Sequence, residues 1–311
     1  MANNPPKRQR VPVHGVLLLD KHAGASSNDV LIKAKRLLNA QKAGHTGTLD
    51  PFATGLLPLC FGEATKFAQD LLEADKTYET VLHLGRTTTT GDTEGELLAE
   101  SPVNVSLLEI EAVLARFRGP IRQVPPMYSA LKRDGKPLYE YARAGITLER
   151  EARDVTIHAL EMLAYEAPYL RLRVTCSKGT YVRVLGEDIG AALGCGAHLN
   201  FLRRTQVGQL SLDRAITLET LSELPDEVRS QALAPVDALL STFEAVALPD
   251  VLADRFSQGQ RLVPDKEGIM VPGAPGRVRV YRLSTGALLG TANWQAHGVL
   301  APERLMAASH E

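Results

Sequence analysis

The chain has 311 residues, 44% of them hydrophobic and 23% charged, and a formal net charge of -1. This length exceeds one average domain and predicts a large domain with a sizeable core together with a small one. A net charge near zero argues by itself neither for nor against a nucleic-acid partner, because the distribution of charge matters more than its total. Without an apolar signal core, or an apolar run long enough to span a bilayer, the sequence predicts a cytoplasmic protein that makes no membrane contact.

The three cysteines are widely spaced, at Cys60, Cys176 and Cys195, and none belongs to a CxxC or CxxH pair. Zinc sites and disulfide frameworks have characteristic cysteine spacings that this chain lacks. We therefore expect reduced thiols packed in the core, and no metal site.

The N-terminal elements follow one another clearly. Residues 1–12 are polar and basic and predict a disordered tail. The apolar run 15–19 predicts a buried strand. Ser26 or Ser27 then supplies the N-cap of an amphipathic helix that has Asp29 in its first turn.

The next stretch, residues 44–58, reads GHTGTLDPFATGLLP and is the most informative in the chain. It places Asp50 in a glycine- and threonine-rich turn directly before Pro51, which biases Asp50 toward extended backbone. Apolar residues 56–61 after the turn predict a buried strand. A carboxylate on a rigid turn backed by core indicates a positioned reactive group. The alternative is a turn aspartate that hydrogen-bonds its own backbone.

The middle of the chain alternates helical and strand patterns. Residues 63–73 predict a helix, the alternation at residues 78–84 predicts a strand, and residues 85–95 predict a loop. Ser106 with Glu109 forms a capping box, which indicates the start of another helix.

Residues 123–150 contain PPMY, KRDGKP and a short tyrosine-rich segment, and predict a long functional excursion rather than a core element. Residues 170–176 alternate apolar side chains with Arg171 and Arg173, which predicts a half-buried strand with a cationic open face. Residues 249–311 contain short strand-like pieces between glycines and prolines, and predict a small β-rich module.

Several of these motifs together resemble the bacterial tRNA pseudouridine synthase B family, from Val13 onward. They are GHTGTLDPFATGLLP, GEATKF, KTYE, VPPMYSALKRDGKPLYEYAR and KGTYVRVLGEDIG. The resemblance implies an α+β pseudouridine synthase fold over residues 13–248, with a mixed, mainly antiparallel sheet and flanking helices. It also implies an RNA-clamping insertion at about residues 123–150 and a PUA-like RNA-binding domain over residues 249–311. One departure is His22, where the family usually has a proline after the lysine.

The activity implied by the resemblance is that of an isomerase. Such an enzyme converts uridine to pseudouridine at position 55 in the T loop of tRNA, after the base is flipped from its stack. It uses no metal and no cofactor. The expected partner is the T arm of tRNA, and we expect a monomer without an obligatory protein partner.

The resemblance also implies roles for five residues of the pocket. Asp50 is the catalytic carboxylate, and either adduct formation or removal of a sugar proton is compatible with the sequence. Arg183 is expected to pair with Asp50 and to hold it ionised. Tyr78 is expected to stack on the target base and Tyr181 to line the pocket. Leu202 is the expected apolar wall, although core packing would explain it almost as well.

Four further residues are expected to touch RNA. His45 resembles the residue that takes the place of a base in the RNA stack, and a capped or surface histidine is the alternative. Lys66, Lys132 and Arg133 are predicted phosphate contacts, and solvated surface charges are the alternative for each.

Two other functions remain open at the level of sequence. One is an RNA-binding or tRNA-folding protein without essential catalysis. The other is a guide-dependent rRNA pseudouridine synthase relative, against which the short chain without extended basic tails argues. An aspartic hydrolase is disfavoured, because only one acid lies in a motif where a carboxylate pair would be needed.

Overall fold

The computed structural model describes residues 9–307. Within these residues the strands are β1 (Gly15–Lys21), β2 (Ala43–His45), β3 (Thr54–Phe61), β4 (Lys76–Leu84), β5 (Arg86–Thr88), β6 (Leu97–Glu100), β7 (Gly119–Gln123), β8 (Lys132–Arg133), β9 (Lys136–Pro137), β10 (Arg153–Glu166), β11 (Tyr169–Cys176), β12 (Ala197–Val207), β13 (Leu210–Ser211), β14 (Glu244–Leu248), β15 (Gly276–Arg282), β16 (Leu288–Gln295) and β17 (Val299–Leu305). The α-helices are α1 (Ser27–Leu37), α2 (Ala68–Leu72), α3 (Leu107–Phe117), α4 (Leu138–Arg143), α5 (Val182–Ala192), α6 (Leu218–Glu223), α7 (Asp250–Ser257) and α8 (Pro264–Glu267).

The larger sheet contains nine strands, in the order β1-β3-β12-β4-β11-β10-β7, with β2 added to β3 and β13 added to β12. Neighbouring strands are antiparallel except β3 and β12, which are parallel and meet at the pair Arg204 and Gly55. This arrangement confirms the predicted mixed, mainly antiparallel sheet. The strands predicted at residues 15–19, 56–61, 78–84 and 170–176 are all present.

The main hydrophobic core lies between this sheet and helices α1, α3 and α5, with Leu218 and Leu221 of α6 added to it. The buried faces of α1, α3 and α5 contribute Val30, Ala34, Ile110, Leu114, Leu185 and Ile189. The two predicted N-terminal caps are present, because Ser26 and Ser106 each form a capping box with the acid three residues later. The α+β prediction is therefore confirmed. No helix within residues 9–307 combines the length and apolar character that crossing a membrane would require.

The helix predicted over residues 63–73 is interrupted. A 3₁₀ turn covers Gly62–Lys66, and α2 begins only at Ala68. Phe67 between them leaves helical geometry, with φ -106° and ψ 2°. Its side chain is fully buried in a second core on β1 and β3. The apolar pattern of this segment thus reflects core packing by two short turns and not one continuous helix.

Only residues 9–12 of the predicted N-terminal tail can be compared with the structure. Residues 1–8 lie outside the described residues, but residues 9–12 are attached to the segment that follows α1. The Val11 amide donates to the Asn39 carbonyl at 2.9 Å, and the Asn39 side-chain amide donates to the Gln9 carbonyl at 2.8 Å. The prediction of disorder is therefore wrong for residues 9–12.

The C-terminal module has its own four-stranded sheet, β14-β15-β16-β17, and its own core around Phe256, Val280 and Leu300. Strand β14 pairs in parallel with β15 and belongs to this sheet. The module therefore begins before residue 249, the boundary predicted from sequence. Helix α7 immediately follows β14 and packs on the same core, so the module is not built from strands alone.

All three cysteines are buried and free, as predicted. Burial raises the pKa of Cys60 to about 12 and that of Cys176 to about 11. Because a thiolate is the reactive form, these thiols are packing residues.

Gly55 marks the closest approach of the two parallel strands. Its φ is +100°, and a Cβ built there would lie 2.2 Å from the Arg204 carbonyl oxygen. We expect Gly55→Ala to destabilise the fold by roughly 3 kcal/mol or more, since backbone strain adds to a clash that no side chain can relieve. Urea unfolding measures this loss. Gly298→Ala is the matched control, because Gly298 has φ +82° but open space around it. Equal losses for the two variants would contradict the packing account.

Candidate active site

The residue before Asp50 is fixed by a buried serine at the start of α1. The Ser27 hydroxyl accepts from the Leu49 amide at 2.9 Å and donates to the Leu49 carbonyl at 3.1 Å. Ser27 is 2% exposed, so both bonds are shielded from water. One side chain thus satisfies both backbone groups of Leu49 and holds the entry to the turn.

The residue after Asp50 is fixed by Lys21, a fully buried lysine at the end of β1. Its ammonium donates to the carbonyls of His22 at 2.9 Å, Ala25 at 2.8 Å and Pro51 at 3.2 Å. Burial lowers the pKa of Lys21 to about 8, and the negative charge of Asp50 opposes this shift. Because His22 contributes only its backbone carbonyl, its replacement of the usual proline removes none of these contacts.

A buried arginine supports the same turn from β12. Arg204 is 2% exposed and donates to the Leu56 carbonyl at 2.8 Å and to the Gly47 carbonyl at 3.5 Å. Gly47 has φ +119°, a conformation that side chains rarely adopt. The Asp50 turn is therefore held at both flanks and from the sheet, which makes its backbone a rigid platform.

Arg183 lies in the first turn of α5 and forms the predicted ion pair. Its Nε is 2.9 Å from Asp50 Oδ2. Its Nη1 donates to the Thr90 carbonyl at 2.9 Å, and its Nη2 donates to the Tyr128 carbonyl at 2.6 Å. Arg183 is 4% exposed. These three contacts and an ion pair with Asp92 fix the orientation of the guanidinium.

Asp92, for which no role is predicted from sequence, lies on the other side of this arginine. Its Oδ2 is 3.5 Å from Arg183 Nη1, and its side chain is 3% exposed. Oδ1 accepts from the Thr90 hydroxyl at 2.5 Å and from the Glu94 amide at 2.9 Å. One buried cation therefore lies between two carboxylates. The acidic turn at residues 92–94 is visible in the sequence, but its partner is not.

The Asp50 side chain is 36% exposed, which leaves the carboxylate accessible on one side. Burial among its protein neighbours raises the pKa of Asp50, and the Arg183 guanidinium opposes this shift. The negative charge of Asp92 raises the pKa further, and Lys21 lowers it. Arg183 is thus the largest influence that keeps Asp50 ionised.

The two predicted pocket tyrosines lie on different elements near Asp50. Tyr78 is on β4 and Tyr181 immediately precedes α5, and both are half-buried. Burial raises the pKa of each phenol, and the charge of Asp50 contributes in the same direction to both. Leu202 on β12 is 6% exposed and belongs to the main core, so core packing accounts for its known contacts.

His45 lies on β2 and is half-buried. Among residues 9–307 no hydrogen-bond partner is found for its buried Nδ1 atom. Burial, with a smaller contribution from Arg204, lowers the pKa of the imidazole, which favours the neutral ring. A neutral ring with an unused polar atom is compatible with stacking against a nucleobase, and this role stays a prediction.

The predicted phosphate contacts divide into two groups. Lys132 and Arg133 are exposed on the hairpin β8–β9, and no ion pair involves either of them within the described residues. Lys66 instead pairs with Glu63 at 2.7 Å and donates to the Leu305 carbonyl of the C-terminal module at 3.0 Å. This contact joins the 3₁₀ turn Gly62–Lys66 to β17 of the C-terminal module, and a phosphate contact by Lys66 stays a prediction. The spacing of three residues between Glu63 and Lys66 is a local signal that could have indicated their ion pair.

The excursion predicted at residues 123–150 leaves the large sheet after β7 and returns to it at β10. It contains the hairpin β8–β9 and the short helix α4. Its two ends meet where Arg150 donates to the Pro125 carbonyl at 3.1 Å. The excursion is therefore a compact insertion tied at its base.

Comparisons with known proteins agree with this fold. The N-terminal domain of the TruB family pseudouridylate synthases matches residues 35–182. The tRNA pseudouridylate synthase B C-terminal domain matches residues 183–241, and the C-terminal domain of pseudouridine synthase II TruB matches residues 245–306. The chain belongs to the TruB family of pseudouridylate synthases, which confirms the family predicted from its motifs.

Two relatives show how close this similarity is. A tRNA pseudouridine synthase B of Burkholderia lata is 63% identical over 96% of this chain and 93% of its own length. One of Ralstonia pickettii is 60% identical over 97% of both chains. Among solved structures, a chain of a Cbf5-Nop10-Gar1 complex is 28% identical with a TM-score of 0.74, covering 94% of this chain and 84% of that one.

Proposed function

We propose that this protein isomerises uridine to pseudouridine at position 55 in the T loop of tRNA, with Asp50 as the reacting group. The observation that carries the proposal is the accessible Asp50 carboxylate held 2.9 Å from the buried Arg183 guanidinium. Family membership and the shared name of the relatives make the protein a tRNA pseudouridine synthase, an isomerase.

The chemistry needs few groups. The bond between N1 of uracil and C1′ of ribose breaks, the base turns, and C5 forms the new bond to C1′ while its proton is lost and N1 gains one. No atom or electron is gained or lost overall, so the reaction requires neither an oxidant nor a reductant. Asp50 acts either by attack on the sugar or by removal of a sugar proton. Both routes require the ionised carboxylate that Arg183 favours.

The target base must leave the folded T arm to reach Asp50, at a cost of about a few kcal/mol of stacking. Tyr78 and Tyr181, whose phenols both experience the charge of Asp50, supply aromatic faces that can hold the extruded base. We propose that the insertion at residues 123–150 clamps the arm, and that the C-terminal module, from β14 onward, adds RNA-binding surface. The protein would act as a monomer in the cytoplasm.

The guide-dependent alternative is not favoured. The Cbf5 chain is much less similar than the two bacterial relatives, at 28% against 63% and 60% identity. An RNA-binding role without catalysis would leave the Asp50–Arg183 pair, with three further protein contacts on the guanidinium, unexplained.

The direct test incubates the purified protein with an unmodified T-arm stem-loop and maps the product by mass spectrometry. We expect pseudouridine at position 55 alone, with no guide RNA, metal or accessory protein added. Product that requires a guide RNA would support the rival enzyme class. An inactive protein that still binds the stem-loop would support a role in RNA binding only.

A role of the insertion in clamping RNA predicts that its exposed basic residues contribute to affinity for the T arm. The double variant Lys132→Gln, Arg133→Gln should weaken T-arm binding and reduce the salt dependence of the dissociation constant by about one to two phosphate contacts. Filter binding across a range of salt concentrations measures both quantities. Arg116→Gln, an exposed arginine on α3, is the control for simple loss of charge. If the double variant kept the salt dependence of the unaltered protein, these two residues would not contact RNA phosphates.

A further inference from the structure

A buried glutamine contacts the active site from the strand where the insertion begins. Gln123, the last residue of β7, is 3% exposed. Its side-chain oxygen accepts from the Tyr181 amide at 3.0 Å, and its side-chain nitrogen donates to the Tyr181 carbonyl at 3.4 Å. One amide thus satisfies both backbone groups of a single residue, as a neighbouring strand would.

The residue held in this way determines where the arginine points. Tyr181 is the N-cap of α5, and no side-chain cap secures this helix end. Arg183 follows two residues later and contacts Asp50 at 2.9 Å. Because an N-cap sets the position of the first helical turn, the Gln123 amide fixes the start of the helix that carries the guanidinium.

The same short segment touches the guanidinium directly. The carbonyl of Tyr128, five residues after Gln123, accepts from Arg183 Nη2 at 2.6 Å. The first part of the insertion is therefore bound to α5 at two points, one on the backbone of Tyr181 and one on the side chain of Arg183. Ser27 holds the backbone of Leu49, next to Asp50, in the same reciprocal manner. Asp50 thus follows Leu49, and Arg183 lies two residues after Tyr181. The backbone of each preceding residue is hydrogen-bonded on both its N–H and C=O groups by a buried side chain.

We propose that Gln123 is a positioning residue for the isomerisation: its buried amide holds the Tyr181 backbone so that Arg183 meets Asp50, and it links this geometry to the base of the insertion. The inference rests on the proposed function, because it concerns the same ion pair. It adds a residue that touches neither substrate nor the reacting atoms and acts through the N-cap of α5.

The test compares Gln123→Met, which keeps side-chain length but loses both polar contacts, with Gln123→Glu, which keeps the oxygen that accepts from the Tyr181 amide. Single-turnover rates and T-arm dissociation constants are measured across pH, with thermal unfolding as a check on folding. Gln206→Ala is the control, because Gln206 is an exposed glutamine on β12 whose side-chain nitrogen donates to the nearby Gly208 carbonyl at 2.8 Å.

We expect Gln123→Met to lower the rate at saturating RNA about 10- to 100-fold, the scale of a small misplacement of catalytic groups. The dissociation constant should change little, and Gln123→Glu should retain more activity. The acid limb of the pH–rate profile should move to higher pH, because a displaced Arg183 would lower the pKa of Asp50 less than it does in the unaltered protein. Asp92, Lys21 and Glu94, the other charged groups around Asp50, are unchanged in these variants. A merely structural loss of stability would not move this limb.

A full rate with an unmoved acid limb in folded Gln123→Met would overturn the inference while leaving the proposed function intact. Equal rate losses in the two variants would overturn it as well, as would failure of both variants to fold, since Gln123 would then be a folding residue. Absence of product from the unaltered protein would instead refute the proposed function.

Discussion

Asp50→Asn is expected to reduce pseudouridine formation by more than about 10⁴-fold, the scale of losing the reacting group of an enzyme. Asparagine keeps the shape of the side chain but can neither attack the sugar nor remove a proton from it. The backbone of the turn should survive, because Ser27, Lys21 and Arg204 hold it through neighbouring residues. Affinity for the T arm should therefore stay within about fivefold, since phosphate contacts supply much of the binding energy.

Asp20→Asn is the matched control for this variant. Asp20 is also a partly exposed carboxylate paired with an arginine, at 2.6 Å from Arg203, but it lies outside the proposed site. We expect nearly full activity from it. Product mapping on the stem-loop after single-turnover incubation compares the two variants. Substantial product from Asp50→Asn would show that another group reacts with the nucleoside.

Arg183→Gln is expected to lower the single-turnover rate by about 100- to 1,000-fold, the usual effect of removing one group that stabilises charge in an active site. It should also destabilise the fold by roughly 3 kcal/mol or more, since a nearly buried Asp92 would lose its cation. The carbonyls of Thr90 and Tyr128 would lose their donor at the same time. Urea unfolding and rate measurements on the same preparation separate the two effects.

Arg183→Lys retains the charge but cannot reproduce the several directed contacts of the planar guanidinium, so an intermediate rate is expected. Arg203→Gln, which breaks the partly buried pair with Asp20, is the control for loss of an arginine on the same domain. If Arg183→Gln, once shown to be folded, reacted at nearly the unaltered rate, Arg183 would be a structural residue only.

The features that the sequence predicted well depend on local chemistry. The Asp50 turn is recognisable from Pro51 and the surrounding glycines; β1 and β3 follow from apolar runs, and β4 follows from alternating apolar and polar residues. The capping boxes of α1 and α3 lie within four residues. In each case the interacting groups are close in the chain, so the local sequence pattern is sufficient to predict the turn, strand or helix start.

The features that the sequence missed depend on residues far apart in the chain. Asp92 and Gln123 carry no motif of their own, and their importance comes from contacts with Arg183 and Tyr181 that only the folded chain creates. The contact of Lys66 with Leu305 cannot be seen in a linear motif either, because the two residues are far apart in the chain. Propensity likewise could not show that Phe67 leaves the helix to fill the second core.

The acid limb of the single-turnover rate, measured for the unaltered protein, Arg183→Gln and Asp92→Asn, tests most directly whether an ionised Asp50 does the chemistry. Arg183 lowers the pKa of Asp50 and Asp92 raises it, so the limb should move to higher pH in Arg183→Gln and to lower pH in Asp92→Asn. A limb that stayed in place in both variants, or moved the same way in both, would mean that the titrating group is not Asp50.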